Sequence, residues 1–83
     1  MNTQKFDAFK REPNIEAKEI LEAVYLALKK RGYNPMTQIV GYILSGDPTY
    51  ITSHDNARAI IGRLERDELL EELVRDFLRD VIK

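Results

Sequence analysis

Few side chains in this chain combine the type and the spacing that catalysis requires. His54 is its only histidine, and it lies between Ser53 and Asp55. Residues that follow one another on the first turn of a helix point in different directions, so these three side chains are not expected to converge as a nucleophile, a base and an orienting acid do. We interpret His54 as a surface or helix-capping residue, and we expect no catalytic site and no enzymatic activity.

Metal binding would have to rely on carboxylates, because the sequence has one histidine and no cysteine. The lack of cysteine also excludes disulfides, thiolate zinc sites and cysteine nucleophiles, and no EF-hand pattern occurs. Acidic residues cluster towards the C-terminal end, but arginines lie among them, which is typical of a solvated, ion-paired helix face. The sequence therefore predicts neither a metal site nor a cofactor. The cluster consists of Glu65, Glu68, Glu71 and Glu72, with Arg63, Arg66 and Arg75.

The stretch "IVGYILSGDPTYITSH", residues 39–54, could instead bind phosphate through its glycines, Gly41 and Gly46. Neither G-x-x-x-x-G-K-[ST] nor G-x-G-x-x-G occurs. Ser45-Gly46-Asp47-Pro48 is explained by one helix ending at a glycine and another beginning at a capping aspartate followed by proline. We interpret this stretch as a joint between helices.

The apolar periodicity is helical throughout, with capping residues where it is interrupted. It predicts four main helices and one short helical turn, and no strand. The predicted bounds are Asn14 to about Lys30, Pro35 to near Gly46, a single turn at Pro48 to Ile51, a helix capped by Thr52-Ser53 to about Arg66, and a last helix from Asp67 to about Ile82. In the first helix the residues that recur at helical spacing are Ala17, Ile20, Leu21, Val24 and Leu28, and in the second Met36, Ile39, Val40, Ile43 and Leu44 lie on one face. In the third helix Ala57, Ile60, Ile61 and Leu64 are predicted to face inward.

The predicted fold is all-α: a compact bundle of four main helices with a helix-turn-helix-like core, formed by residues 13–83. Residues 1–12 lack the periodicity and are expected to be a flexible tail, in which Thr3 is the only non-aromatic hydroxyl side chain before Thr37. The apolar stripe of the last helix is wider than one neighbour requires. Because a core of this size supplies only about 3–5 kcal/mol, we expect a homodimer, with Leu69, Leu73 and Phe77 as candidate dimer or core residues.

The charge balance bears on the partners. Thirteen basic and fourteen acidic residues give a formal net charge of −1, whereas nucleic-acid-binding domains usually carry a clear basic excess. A small helix-turn-helix DNA-binding regulator stays open as the alternative, with Arg58, Arg63 and Arg66 supplying positive charge on its second helix. The sequence has no signal peptide and no segment of about 20 apolar residues, so we expect a cytoplasmic protein without membrane insertion.

The pieces G-Y-N-P, Q-I-V-G-Y-I-L-S-G-D-P-x-Y-I-T-S-H, A-R-x-x-I and L-E-R-D-E occur in order between Lys29 and Val74. Together they resemble the IreB/ReoM-type family of small regulatory phosphoproteins from Gram-positive bacteria. The resemblance implies a non-enzymatic helical homodimer that a PASTA-domain serine/threonine kinase phosphorylates on a threonine in the N-terminal tail. It also implies control of peptidoglycan precursor synthesis, in part of the family through Clp-dependent turnover of the first committed enzyme.

Carried over onto this sequence, the family's tail motif falls on Thr3-Gln4-Lys5-Phe6, which makes Thr3 the expected phosphoacceptor. The motif usually has methionine where this chain has Gln4. Relatives also tend to have two arginines before Leu64, where this chain has Gly62-Arg63, so an expected basic stripe on the third helix lacks its middle member between Arg58 and Arg66. The arginines Arg58, Arg63 and Arg66 are candidate contacts for a protein partner or for phosphothreonine. Gly62 is expected to cost that helix about 1 kcal/mol relative to alanine.

Overall fold

The computed structural model describes residues 15–82. Within that range the chain forms four α-helices and no strand, as the sequence predicts. The helices are α1 (Ile15–Lys30), α2 (Pro35–Ser45), α3 (Ala57–Ile61) and α4 (Arg66–Phe77), with two 3₁₀ turns, Pro48–Tyr50 and His54–Asn56, between α2 and α3.

Helix α1 is the centre of the fold, because the other three helices all pack against it. Its inward residues are fully or almost fully buried and recur every three or four positions: Ala17, Ile20, Val24, Ala27 and Leu28. The helix ends as its sequence indicates, with Lys29 and Lys30 in the last turn and Gly32 at a φ of 84°. The N–H of Tyr33 donates to the Leu28 carbonyl at 3.0 Å, which satisfies a carbonyl that the helix end would otherwise leave unpaired.

Helix α2 begins and ends through local capping. The Asn34 side chain accepts a hydrogen bond from the Thr37 N–H at 3.2 Å, and Pro35 is the first helical residue. At the other end, Gly46 has a φ of 78° and its N–H donates to the Tyr42 carbonyl. A left-handed residue at a helix end is favourable for glycine, which has no β-carbon. The predicted bounds of this helix are confirmed.

The first part of the joint between α2 and α3 folds as its sequence predicts. The Asp47 carboxylate accepts hydrogen bonds from the Thr49 N–H at 3.0 Å and the Thr49 hydroxyl at 2.7 Å. Pro48–Tyr50 then forms the predicted single turn. Ile51, directly after it, is fully buried and belongs to the core. The joint therefore also contributes a core side chain.

The third helix is shorter than the sequence predicts. It was expected from Thr52-Ser53 to about Arg66, but α3 spans only Ala57–Ile61. Asp55 and Asn56 have φ values of 53° and 64°, which a helix cannot contain, so α3 starts after them. It ends at Gly62, which is a helix end instead of the predicted helix interior. The residues expected to face inward do pack in the core: Ala57, Ile60, Ile61 and Leu64.

Helix α4 also differs in its bounds. The predicted cap was Asp67 and the predicted end was about Ile82, whereas the helix spans Arg66–Phe77 and its cap is Glu65. The Glu65 N–H donates to the Glu68 side chain at 2.9 Å, which is half of the reciprocal arrangement that starts many helices. Beyond Phe77 the chain continues as turns, with the Val81 N–H donating to the Leu78 carbonyl at 2.8 Å.

Candidate functional site

The expected phosphoacceptor, Thr3, lies outside the described residues. So does the whole segment expected to be a flexible tail, residues 1–12, and both expectations stay predictions. The described part of the chain begins at Ile15, where α1 begins.

The three candidate arginines contact three separate parts of the protein. Arg58 Nε donates to the Ile51 carbonyl at 2.9 Å. Arg66 Nη1 donates to the Ile43 carbonyl at 3.0 Å, and Arg63 Nη2 lies 3.3 Å from the Glu16 carboxylate. Arg63 and Arg66 therefore connect elements that are 47 and 23 residues apart, whereas Arg58 connects α3 with the joint just before it. Their role as partner or phosphate contacts stays a prediction.

The expected basic stripe on one helix face does not exist in this form. Helical spacing of four residues places side chains on one face only while the helix continues, and α3 ends at Ile61 whereas α4 begins at Arg66. Arg58 and Arg66 thus belong to different helices. Arg66 lies over Gly46, where a β-carbon would come within 2.7 Å of the guanidinium carbon.

The candidate dimer or core residues of α4 differ widely in burial. Leu69 is fully buried in the core, whereas Leu73 is 40% exposed and Phe77 is 87% exposed. The surplus apolar surface that the sequence indicated is therefore real in the single chain. The exposed apolar residues of this region are Leu70, Leu73, Val74, Phe77, Leu78, Val81 and Ile82.

Helix α2 buries only part of the apolar face that its sequence indicates. Met36 is 66% exposed and Leu44 is 78% exposed, and about half of Val40 is exposed. Helix α2 packs against α1, the first 3₁₀ turn and α4, and these neighbours leave part of its apolar face uncovered. Of the five predicted residues, only Ile39 and Ile43 pack against the core.

Met36 and Val40 line a groove between α1, α2 and α4. The groove has a volume of about 600 Å³, within the range of about 300–1,000 Å³ that small-molecule sites occupy. We call it the apolar groove, and its apolar lining residues are Leu21, Tyr25, Leu26, Met36, Ile39, Val40, Ile43 and Leu73. Sequence reasoning missed it, although the wide apolar faces of α2 and α4 were a signal that both helices expose apolar surface.

The polar residues of the apolar groove are mostly acidic. Glu22, Glu72 and Asp76, which we call the acidic rim, face a single lysine, Lys18. Each rim carboxylate already has a partner three or four residues away in the chain: Lys18 lies 3.4 Å from Glu22, Arg75 lies 3.6 Å from Glu72 and Arg79, just beyond α4, lies 2.7 Å from Asp76. The pairs of Glu22 and Asp76 are exposed, and pairs of this kind contribute only about 0–1 kcal/mol. These two carboxylates can therefore exchange their partners at little cost, whereas the Glu72 side chain is only 13% exposed.

His54 contacts its sequence neighbour, contrary to expectation. The imidazole Nε2 lies 3.3 Å from Asp55 Oδ2, and Lys30 Nζ lies 3.6 Å from the same oxygen. The contact forms because Asp55 is not helical but has a positive φ. The Lys30–Asp55 pair connects the last turn of α1 with the second 3₁₀ turn.

The ionisation of Asp47 responds to its surroundings. The hydrogen bonds from the Thr49 N–H and the Thr49 hydroxyl lower its pKa below the usual value of 3.8, and the nearby positive charge of Arg58 lowers it further. These donors favour the ionised form, so Asp47 is a charged cap of the first 3₁₀ turn.

No three His, Cys, Asp or Glu side chains between residues 15 and 82 come together as a metal site would require. Over the same range, none of the helices combines the length and the apolar character needed to cross a bilayer.

Comparison with known proteins identifies the family. Residues 1–79 match the family described as IreB regulatory phosphoprotein. A UPF0297 protein of Lachnoclostridium phytofermentans is 55% identical over 82 residues, which cover 99% of this chain and 92% of the relative. A UPF0297 protein of Acetivibrio thermocellus is 59% identical over 80 residues, covering 96% of this chain and 88% of the relative. The family description names regulatory phosphoproteins, and the family is not a known enzyme family. The chain belongs to the IreB family of regulatory phosphoproteins.

Proposed function

We propose that this chain is a cytoplasmic, non-enzymatic switch that a PASTA-domain serine/threonine kinase phosphorylates on Thr3. In its two phosphorylation states it controls peptidoglycan precursor synthesis through contacts with other proteins. One route for this control is Clp-dependent turnover of the first committed enzyme of that synthesis.

The observation that carries the proposal is the extent of the family match. It starts at residue 1 and runs to residue 79, so it includes Thr3-Gln4-Lys5-Phe6, onto which the phosphoacceptor motif carries over. Phosphate adds about −1.5 to −2 charges and strong hydrogen-bond acceptors. On a chain whose formal net charge is −1, that change is large enough to alter which partner surfaces are attracted.

We also propose that the chain acts as a homodimer, and its exposed apolar residues support this. Large exposed apolar patches usually mark interaction surfaces. Phe77 and Val81, both at least three-quarters exposed, lie near the end of the chain together with the half-exposed Val74. We propose that this end of α4 contributes to contact with a second copy.

The experiment that tests the switch is a phosphorylation assay followed by mass measurement. The purified chain is incubated with ATP and a PASTA-type kinase domain, and intact and peptide masses are recorded. One added phosphate is expected on the peptide that contains Thr3, and none on a Thr3→Ala chain. Gln4→Met, which restores the residue usual in the family motif, should give phosphorylation at least as fast as the unchanged chain.

Two results would contradict the proposal. If the kinase phosphorylates a control substrate but leaves Thr3 unmodified in both the unchanged and the Gln4→Met chains, the switch mechanism is wrong. Loss of the folded state in Thr3→Ala would contradict the idea that Thr3 belongs to a regulatory segment separate from the core.

The alternative, a helix-turn-helix DNA-binding regulator, finds little support in the geometry. Its second helix would be α3, which has only five residues, and the guanidinium groups of Arg58 and Arg66 are hydrogen-bonded to backbone carbonyls. A gel shift on random duplex that weakens steeply with salt would favour this alternative, because non-specific binding depends on phosphate contacts.

A further inference from the structure

The apolar groove exposes side chains that a second apolar surface would cover. Leu26, Met36, Val40 and Leu73 are each between 40% and 66% exposed, while other apolar lining residues, Leu21, Ile39 and Ile43, pack against the core. The groove therefore has a fixed floor and an uncovered upper edge, with the acidic rim beside it. An occupant should combine bulky apolar side chains with positive charge.

We propose that the chain's own N-terminal segment, residues 1–14, occupies the apolar groove through Phe6 and Phe9, and that phosphate on Thr3 releases it. The release step rests on the proposed function, because it uses the same phosphoacceptor. The docked state itself concerns the unphosphorylated chain and does not depend on any kinase.

The position of α1 allows residues 1–14 to reach the groove. Lys18, within the first turn of α1, lines one end of the groove, and Leu26 lies further along it. Eight helical residues rise by about 12 Å. If the segment turns back at Pro13, the four residues to Phe9 can span up to about 13 Å and the seven residues to Phe6 up to about 23 Å. The two rings together can therefore reach along the groove.

The covalent connection favours this occupant over a free partner. A short flexible connection gives an effective concentration in the millimolar range, so contacts too weak for a separate peptide suffice here. Each phenylalanine can bury about 150–250 Å². The two rings are also the only large apolar side chains of residues 2–12.

Charge complementarity explains how phosphate would act. The segment has three cations and two carboxylates, whereas the groove has the three acidic-rim carboxylates and one lysine, Lys18. Phosphorylation of Thr3 reverses the sign of the segment's side-chain charge, so the acidic rim repels what it previously attracted. The charged residues of the segment are Lys5, Asp7, Lys10, Arg11 and Glu12.

The absence of cysteine in the sequence allows a direct test in the full chain. An Ala8→Cys chain carries a nitroxide on its single thiol, and paramagnetic broadening of backbone amide signals shows where residue 8 lies. The same cysteine allows a synthetic segment of residues 1–7, with or without phosphothreonine at position 3, to be ligated to the rest of the chain. Both forms are thereby obtained without a kinase.

The expected result is broadening at Leu26, Met36, Val40 and Leu73 in the unphosphorylated chain, with α3 unaffected. This broadening should be lost with phosphothreonine at position 3 and in a chain with Phe6→Ser and Phe9→Ser. A matched pair on α2 locates the contact: Met36→Ser, in the groove, should reduce it, whereas Leu44→Ser, outside the groove and similarly exposed, should not.

Three results would overturn the proposal. The first is an unbroadened groove in the unphosphorylated chain, and the second is equal broadening with and without phosphate. The third is broadening in a mixture where only the isotope-free copies carry the nitroxide, because the groove would then hold a second copy. A chain that no kinase phosphorylates, but that shows the expected broadening, would contradict the proposed function and leave this inference standing.

Discussion

Tyr50 lies so close to Gly41 that a β-carbon on Gly41 would come within 2.5 Å of the tyrosine Cε1 atom. The Tyr50 carbonyl also accepts a hydrogen bond from the Gln38 side chain at 2.9 Å. Two contacts thus hold the first 3₁₀ turn against α2. The Tyr50 ring packs on Gly41, where a side chain would collide with it, and the Gln38 side chain donates to the Tyr50 carbonyl.

Gly41→Ala should therefore destabilise the fold by about 1 kcal/mol. A gain of about 1 kcal/mol from helix propensity opposes an overpacking cost of about 1–3 kcal/mol. Gly62→Ala is the matched control, because Gly62 has a φ of −74° and an added β-carbon there meets only ordinary contacts. It should stabilise by about 0.4–1 kcal/mol. Urea unfolding measures both, and equal stabilisation by the two changes would show that Tyr50 moves aside freely.

Leu69→Ala and Phe77→Ala should separate core from surface on one helix. Leu69 is fully buried, whereas Phe77 is 87% exposed. Removing a buried leucine side chain costs about 2–5 kcal/mol, while a surface change of this kind stays within about 0.5 kcal/mol. The free energy of unfolding at low protein concentration, where a single copy predominates, measures the difference. Similar losses of unfolding free energy in the two variants would contradict the difference in burial between Leu69 and Phe77.

Phe77→Ser should weaken the proposed homodimer while the single chain stays folded. The reason is that the exposed ring is expected to be buried against a second copy. Sedimentation velocity over a range of concentrations measures the change, with circular dichroism to verify helix content. Leu44→Ser, which removes a similarly exposed side chain from α2, is the control. An unchanged dimer in Phe77→Ser would place the contact elsewhere.

Arg66→Ala should cost about 1 kcal/mol, because the side chain donates to the Ile43 carbonyl and a lost hydrogen bond is typically worth that amount. Arg63→Ala should cost about 0.5 kcal/mol or less, since its pair with Glu16 is at the surface. Repeating the unfolding measurement in 1 M NaCl distinguishes them, because salt screens the surface pair. The Arg63 effect should disappear in salt and the Arg66 effect should persist.

Asp47 should make the fold sensitive to acid. Its pKa is lowered in the folded chain by the hydrogen bonds from Thr49, so the ionised form is favoured by folding. This stabilisation is fully present above the unfolded pKa, near 3.8, and is lost as the pH falls through the lower folded value. As the pH falls below 3.8, Asp47→Ser should lose less stability than the unchanged chain, because serine can cap the turn without titrating.

Comparing free energies of unfolding at pH 7 and pH 3 measures this difference. Asp47→Ala, which removes both the cap and the charge, should be less stable than Asp47→Ser at pH 7. An unchanged acid response in Asp47→Ser would assign the acid sensitivity to other carboxylates.

The sequence by itself determined where helices begin and end when the signal is local. Asn34-Pro35, Asp47-Pro48, Gly32 and Gly46 all act as predicted, because a cap depends on hydrogen bonds to residues only two to five positions away. The all-α architecture and the family were also evident from the sequence, since periodicity and motif order require no tertiary contact.

Tertiary structure alone decided which apolar residues became core. Ile51 and Leu69 are buried while Met36, Val40 and Leu44 are exposed, because burial depends on which distant elements surround α1 and not on the residue's own helix. The same reason applies to the arginines, whose carbonyl and carboxylate partners lie 7 to 47 residues away. The late start of α3 followed from the positive φ values of Asp55 and Asn56, which no local sequence signal required.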